Sequence, residues 1–372
     1  MFIGIDASRA VSARPTGTER YSQELIRALL ELGAGHRFRL YLRREPDPRS
    51  FVGSEQCVMP FPRLWTHVRL SWEMIRRPPD VLLVPSHVLP LMHPPGSVVT
   101  VHDLGYLRFP EMHTRRQRAY LDISTRWSAR YASHLLADSG ATQRDLEAQY
   151  GVPGDKVTVA YPGVDESLHA VSDPEHIDAV KARYGIADGY FLYLGTLQPR
   201  KNLSRIVQAY ARLLASWPEA SPVLVLAGQR GWLYEELFRL VSRLGIDGQV
   251  RFPGYVAEDD KAALLSGATA FVFPSLHEGF GLPVLEAQAC GCPVVTSTSS
   301  SLPEVAGTAA LLVDPTDVDA IASAMAQVQS SEALRRALIA TGYSNVRRFS
   351  WKSCARTVLQ VLEMVAESSG SY

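Results

Sequence analysis

The chain predicts an α/β protein of two domains, each a parallel sheet covered by helices. Three observations carry this. Its 372 residues exceed what one ordinary core organises and suit two domains of roughly 150 to 190 residues. Short β-branched runs alternate with longer amphipathic segments, the pattern of strand-helix-strand crossovers. The alternation also comes in two series, separated by Tyr161 to His176, a stretch rich in Pro, Gly and acidic residues that reads as a linker. The domains are expected at 1–165 and 183–350, with the boundary near residues 163 to 183.

The first series opens with a strand at Phe2 to Ile5, a loop through Gly17, and a helix from about Glu19 to Glu31 with Leu25, Leu29 and Leu32 on one face. Strands follow at Phe38 to Leu42, Val81 to Val84, Val98 to Val101, His134 to Ala137 and Val157 to Val159. The second series runs through Tyr190 to Leu194, Val223 to Ala227, Val250 to Phe252, Ala270 to Phe273, Val294 to Thr296 and Ala310 to Val313. In open α/β sheets ligands bind beyond the carboxyl ends of the strands, so two such domains facing each other would frame a cleft.

Hydrophobic residues at 46% and charged residues at 20% describe a folded protein rather than a disordered or membrane-embedded one. Formal charge is zero, with an excess of four basic residues before residue 166 balanced by four acidic ones after it. That asymmetry is far below a nucleic-acid-binding signature, so nucleic acid is not expected as a partner. Cys57, Cys290, Cys292 and Cys354 lack zinc-ligand spacing, and a reducing cytoplasm is the economical expectation. Met1 to Ile5 runs directly into a strand without a secretory leader, and no apolar run reaches the ~18 residues of a membrane span, so any membrane contact is expected to be peripheral, at the inner face.

The strongest chemical segment is Glu278-Gly279-Phe280-Gly281-Leu282-Pro283-Val284-Leu285-Glu286. Pro283 suits a helix start and Gly291 the position past its end, predicting a short helix from about Leu282 to Cys290. Its N-terminal amides, approached past Gly279 and Gly281, suit a pyrophosphate. Glu278 before that site and Glu286 one turn into the helix would lie about 10 to 15 Å apart, the span from sugar to ribose across a diphosphate, and both are acceptors for hydroxyls. Arg200 and Lys201 sit between a strand and a helix that Asn202 can cap. Two cations there can hold a diphosphate and stabilise charge on it as a glycosidic bond breaks.

His102 closes a strand and precedes Asp103; a neutral imidazole there could contact a sugar hydroxyl. The first loop holds Asp6, Arg9, Thr16, Gly17 and Thr18, with Gly17 placed to let backbone approach phosphates, although the full dinucleotide-binding glycine pattern is missing. Asp317-Val318-Asp319 spells a metal-binding D-x-D, but its place before Ile321 to Met325 makes helix capping the better account. No metal and no cofactor are expected.

Together these segments resemble the large retaining glycosyltransferase family often called family four, over nearly the whole chain. The resemblance implies the GT-B fold: two Rossmann-like domains facing across a cleft, with a terminal helix, here Trp351 to about Val365 within 351–372, crossing back to the first domain. It implies that Glu278 and Glu286 are the family's E-x7-E pair, the first beside the transferred sugar and the second on the donor ribose. Arg200 and Lys201 match its diphosphate-binding pair, Gly281 and Leu282 the phosphate-facing helix start, and Gly17 its donor-facing loop. Thr16 to Tyr21, Trp72-Glu73, Val101 to Leu104, Leu107 to Glu111 and Ala137-Asp138-Ser139 look like bacterial mannosyltransferase members, in which Tyr255 and Val256 stand near the base.

The resulting expectation is a retaining hexosyltransferase using a nucleotide-diphosphate sugar, first GDP-mannose and next a UDP-sugar, on a glycan or lipid-linked acceptor. Rivals are a nucleotide-sugar epimerase, a glycan phosphorylase needing one of five lysines (156, 181, 201, 261, 352) for pyridoxal phosphate, and a catalytically silent sugar-binding protein. Leu64 to Trp72 and Arg115-Arg116-Gln117-Arg118 are candidates for touching a lipid-linked acceptor at a membrane surface.

Overall fold

The computed structural model describes residues 1–11, 17–47, 49–186, 189–217, 222–229, 231 and 234–370, so Thr16 of the first loop lies outside the described residues. The chain forms two compact units, Met1–Gly163 joined by Phe349–Tyr372, and Val164–Arg348.

In the first unit the strands are β1 (Phe2–Asp6), β2 (Arg37–Leu42), β3 (Glu55–Val58), β4 (Val81–Val84), β5 (Ser97–Val101), β6 (His134–Ala137) and β7 (Val157–Val159). They form one parallel sheet in the order β3-β2-β1-β4-β5-β6-β7. Strands β4, β5 and β6 are buried at every position, which is why they read as unbroken Val and Leu runs: a parallel sheet has helices on both faces. Helix α1 (Gly17–Leu32) buries Tyr21, Leu25 and Leu29 on one side, the i, i+4, i+8 stripe of an amphipathic helix. A short π-helix, Thr66–Leu70, runs straight into α2 (Ser71–Arg76), and α3 (Gly105–Arg108) follows β5. The start of α4 (Arg115–Tyr131) is a capping box between Thr114 and Gln117. Ser139 caps α5 (Gly140–Tyr150), and Gly151 closes it at φ 63°.

The second unit repeats the scheme. Its strands β8 (Tyr190–Leu194), β9 (Val223–Ala227), β10 (Val250–Gly254), β11 (Ala270–Phe273), β12 (Val294–Ser297) and β13 (Leu311–Val313) make a parallel sheet ordered β10-β9-β8-β11-β12-β13. Its helices are α6 (Pro174–Arg183), α7 (Leu203–Ser216), α8 (Tyr234–Arg243), α9 (Glu258–Ser266), α10 (Leu282–Ala289), α11 (Leu302–Ala306), α12 (Val318–Ser330) and α13 (Glu332–Val346). In each sheet the strand order reverses direction beside the first strand, between β1 and β4 and between β8 and β11. Such switch points open a crevice at the carboxyl ends of the strands.

The last helix, α14 (Trp351–Ser369), packs on α1 in the first unit. Trp351, Cys354, Val358, Leu362 and Val365 join Ile3, Ile5, Leu25 and Leu29 in one core cluster. At about 1.5–3 kcal/mol for each large apolar side chain taken from water, this helix is a structural member of the first unit.

Three expectations need correction, and one strand, β3, goes beyond them. Residues 161–176 are not a free linker: the second unit begins at Val164, and α6 starts at Pro174, capped by the Asp173 carboxylate on the Glu175 amide. Pro and acidic residues suit a helix start as well as a loop. Strand β3 carries no apolar alternation because it is an edge strand, with Glu55 paired to Arg39 at 2.8 Å. Asn202 does not cap α7 with its side chain. It sits in the left-handed region at φ 65°, and its Nδ2 donates to the carbonyls of Pro274 (2.9 Å) and Pro315 (2.6 Å), tying the β8 and β11 loops together. Finally, β10 extends to Gly254. Asp317 does cap α12, accepting from the amides of Asp319 and Ala320.

Candidate active site

The β8–β11 switch point gathers three of the residues singled out in the sequence. After β8, Pro199–Lys201 forms a single 3-10 turn, and the Leu276 amide donates to the Arg200 carbonyl at 3.0 Å, binding that turn to the loop after β11. Arg200 Nη1 donates to the His277 carbonyl at 3.0 Å and lies 3.6 Å from Glu278 Oε2. Lys201 Nζ is 2.7 Å from Glu278 Oε1 and 4.9 Å from the Phe273 ring centroid. Ser275 Oγ donates to the same Glu278 oxygen at 2.6 Å.

Glu278 is buried, at 7% exposure. Burial alone would push its carboxyl up, but Lys201 and then Arg200 outweigh it and hold the group below the ordinary glutamate value. The carboxylate is therefore ionised, and two cations against one anion leave the cluster a net positive charge. Its backbone is fixed too: the Glu278 carbonyl accepts from Ser300 Oγ (2.6 Å) and Ser301 Oγ (3.0 Å), and Ser301 Oγ also donates to the Phe280 carbonyl at 2.6 Å.

Gly281 then turns the chain into α10 at φ 115°, a conformation that L side chains avoid, and a Cβ there would meet Leu302 Cδ2 at 2.7 Å. Leu282 is the first residue of α10, so the positive end of that helix adjoins the cationic cluster. Glu286, one turn on, belongs to a second cluster. Lys261 Nζ on α9 lies 3.1 Å from Glu286 Oε1 and 3.2 Å from Glu258 Oε2. Tyr255 and Val256 lead from β10 into α9; Tyr255 is half exposed and Val256 buried. The named residues of this unit thus form two charged groups joined by α10.

In the first unit, Gly17 is the exposed first residue of α1, with no heavy atom within 4 Å of where a Cβ would stand. His102 is buried after β5. Its Nδ1 is 2.6 Å from Asp138 Oδ2 and its Nε2 2.9 Å from the Pro85 carbonyl. The Pro85 carbonyl can only accept, so Nε2 donates to it, and Nδ1 shares a proton with the Asp138 carboxyl. Burial pulls the imidazole down, but the charge of Asp138 and its hydrogen bond win and hold it above the ordinary value. Burial also pushes the Asp138 carboxyl up, and the two ring nitrogens, one of which was expected to stand open to a sugar hydroxyl, are both engaged inside the unit. Neighbouring His87, by contrast, is pushed down to about 4 by burial and by His102.

Comparison with known proteins gives these clusters a context. Residues 15–168 match Glycosyltransferase Family 4 and residues 178–345 match Glycosyl transferases group 1. The O-antigen chain mannosyltransferase B of Escherichia coli is 30% identical over 97% of this chain and 99% of its own length. The chain belongs to glycosyltransferase family 4. It is a glycosyltransferase, and its architecture is GT-B. The fold agrees with sucrose-phosphate synthase from Thermosynechococcus elongatus, at a TM-score of 0.78, 20% identity and coverage of 99% of this chain and 100% of that one. It also agrees with Anabaena HepE in complex with UDP and glucose, at 0.73, 20%, 98% and 99%.

Sequence reasoning on this glycosyltransferase missed Ser275, Ser300, Ser301, Lys261 and the role of Asp138. Asp138 lay in a quoted motif. Ser300 and Ser301 belong to the run Ser297 to Ser301 after β12, a signal for hydroxyls near a switch point. Lys261, one of five lysines, gave none.

Proposed function

We propose that this glycosyltransferase transfers mannose from GDP-mannose, with retention of configuration, to a glycan or lipid-linked acceptor in the cytoplasm. The observation that carries the reading is the full-length likeness to O-antigen chain mannosyltransferase B. Arg200 and Lys201 bind the diphosphate, aided by Gly281, Leu282 and the start of α10, and Gly17 meets it from the first loop. Glu278 faces the sugar, Glu286 the ribose, and Tyr255 with Val256 the base. Four free cysteines accord with a reducing compartment.

In the reaction the acceptor oxygen forms a bond to the anomeric carbon on the face from which the bond to the diphosphate oxygen breaks. The acceptor proton passes to that departing oxygen, leaving glycoside and GDP. Charge grows on the diphosphate as the bond lengthens, and two cations already held by Glu278 and backbone carbonyls stabilise it without reorganising. The same pair takes the place a metal would fill, so transfer proceeds in excess chelator. Asp138 positions the His102 ring, which holds the β4 and β5 loops together through Pro85.

The test is donor turnover by the purified chain with GDP-mannose, UDP-glucose, UDP-galactose and ADP-glucose, each with and without chelator, plus the anomeric configuration of the product by NMR. Consumption of GDP-mannose in chelator to an α-linked product is expected. Preference for a UDP-sugar overturns the donor, a β-linked product the stereochemistry, and activity recovered only with added magnesium or manganese the metal-free reading.

A further inference from the structure

We infer that His87 is a sugar-binding residue of this glycosyltransferase, its Nδ1 accepting a hydrogen bond from a sugar hydroxyl at the β1–β4 switch point. The place follows from the sheet. Ile5 of β1 is paired with Leu83 of β4, so Asp6 and the loop of residues 85–87 leave the sheet side by side at its carboxyl edge. That edge is where an open α/β sheet receives ligands.

His87 is held there from three sides. Ser128 Oγ on α4 donates to the His87 carbonyl at 2.6 Å and accepts from the Leu89 amide at 3.0 Å, which pins the backbone. The His87 ring stands 5.4 Å from that of His102 at 63°, and His102 is itself fixed by Asp138 and the Pro85 carbonyl. On the third side, His87 Nε2 lies 3.1 Å from the Asp103 carbonyl. A carbonyl only accepts, so Nε2 carries the proton and, in the neutral ring, Nδ1 is an acceptor. Burial and the neighbouring His102 keep the ring neutral. Among the described residues Nδ1 has no hydrogen-bond partner, and it is not sealed in the interior, since the ring is partly open to solvent. A ring fixed in position and tautomer, with one lone pair turned to solvent, is a preorganised hydrogen-bond acceptor. The imidazole open to a sugar hydroxyl that was expected at His102 thus stands at His87.

The surroundings select the class of ligand. Asp6 is buried beside this loop, its Oδ1 accepting from the Ser8 amide at 3.0 Å. The exposed Arg9 guanidinium lies near enough to bear on the charge of both Asp6 and His87. A group that docks here must donate to Nδ1, which an ionised phosphate or carboxylate does not do. It must also tolerate the Arg9 charge, which an ammonium does not. A neutral hydroxyl meets both conditions, and a sugar carries several.

The inference rests on the chain's being a glycosyltransferase and on no choice of donor. Its test is imidazole nitrogen NMR of the full chain carrying isotope-labelled histidine, with the His87 ring assigned by its loss in His87→Gln and His87→Asn. A neutral ring protonated on Nε2 is expected, its Nδ1 resonance moving with methyl α-D-mannopyranoside, or with GDP-mannose or UDP-glucose but not with GDP or UDP. Movement with the free glycoside assigns the hydroxyl to the acceptor; movement with a sugar nucleotide alone assigns it to the donor. A ring charged or protonated on Nδ1 at neutral pH, or a resonance that none of these sugars moves, would overturn the inference. Kinetics separate sugar binding from support of the loop. Asn offers an acceptor where Nδ1 stands and loses the Asp103 contact, whereas Gln keeps a donor for Asp103 and loses the acceptor. In transfer to methyl α-D-mannopyranoside from whichever of the four donors above is consumed, His87→Gln should have the lower kcat/KM, by about two- to tenfold. The opposite order would leave His87 a structural residue and overturn the inference. A preference for a UDP-sugar changes the donor in this assay and leaves the inference standing.

Discussion

Replacing Lys201 with Met tests whether the pair it forms with Glu278 is the electrostatic centre of the second unit. The two side chains are 12% and 8% exposed, and their charged atoms are 2.7 Å apart. Removing one partner of a buried pair costs about 3–5 kcal/mol, against about 0–1 kcal/mol for a surface pair. Ser275 at 2.6 Å and Arg200 at 3.6 Å remain to Glu278, so the lower end, about 3 kcal/mol, is expected. The sign with pH follows from the depressed Glu278 value. In the wild type its contribution is present above the ordinary carboxylate range and is lost as pH falls through the folded value. In Lys201→Met burial gains the upper hand and the carboxyl rises, so its penalty is full at neutral pH and relieved as the group protonates. The stability gap, read by urea unfolding with far-UV circular dichroism, should be wide near neutrality and narrow on acidification. Lys201→Met/Glu278→Gln should recover a large part of it. A gap that ignores pH, or a double variant no more stable than the single, would refute this account.

Other expectations are narrower. Glu278→Gln should lower turnover about tenfold or more while nucleoside diphosphate binding survives, whereas Glu286→Ala should mainly raise the donor KM, about tenfold; calorimetry with GDP and steady-state kinetics distinguish the two, and the reverse pattern would invert the donor. Gly281→Ala should cost about 1–3 kcal/mol through its backbone conformation, with the unfolding midpoint as readout. Asp138→Asn removes the group that raises His102. The raised value contributes stability below the ordinary imidazole range that fades as pH rises through it, so the gap to wild type in urea unfolding should be largest at acid pH and close in the alkaline direction.

The fold was legible because fully buried parallel strands leave unbroken Val and Leu runs and because Pro283, Gly291 and Ser139 punctuate helices through local chemistry. Strand β3 escaped because an edge strand with both faces half open leaves no alternation. In the site, Glu278, Arg200 and Lys201 could be found because each lies on a strand-to-helix loop, and loop position is readable along one chain. Lys261 and Ser275 act through neighbours that the fold supplies, and nothing in the spacing of 261 and 286 reveals a 3.1 Å contact. The partners of His102 escape for the same reason: Asp138 and Pro85, 36 and 17 residues away along the chain, are brought to its ring only by the fold. Asn202 shows the limit of local rules, since a residue suited to capping was recruited to join two loops.

The membership of α14 in the first unit has a consequence for how the molecule is made. Val164–Arg348 is an insertion in the covalent chain of the other unit, and the outgoing and returning segments touch: a Cβ on Gly163 would stand 2.1 Å from the Trp351 amide nitrogen. On the ribosome, the groove on α1 that receives Val358 and Leu362 must wait while all of Val164–Arg348 is synthesised, about 10 to 40 s at ordinary elongation rates. Throughout that interval Ile3, Leu25 and Leu29 lack the α14 side chains that cover them. The first unit's last stabilising piece arrives only after the second unit has been translated, so a premature stop anywhere in the second unit disables the first as well.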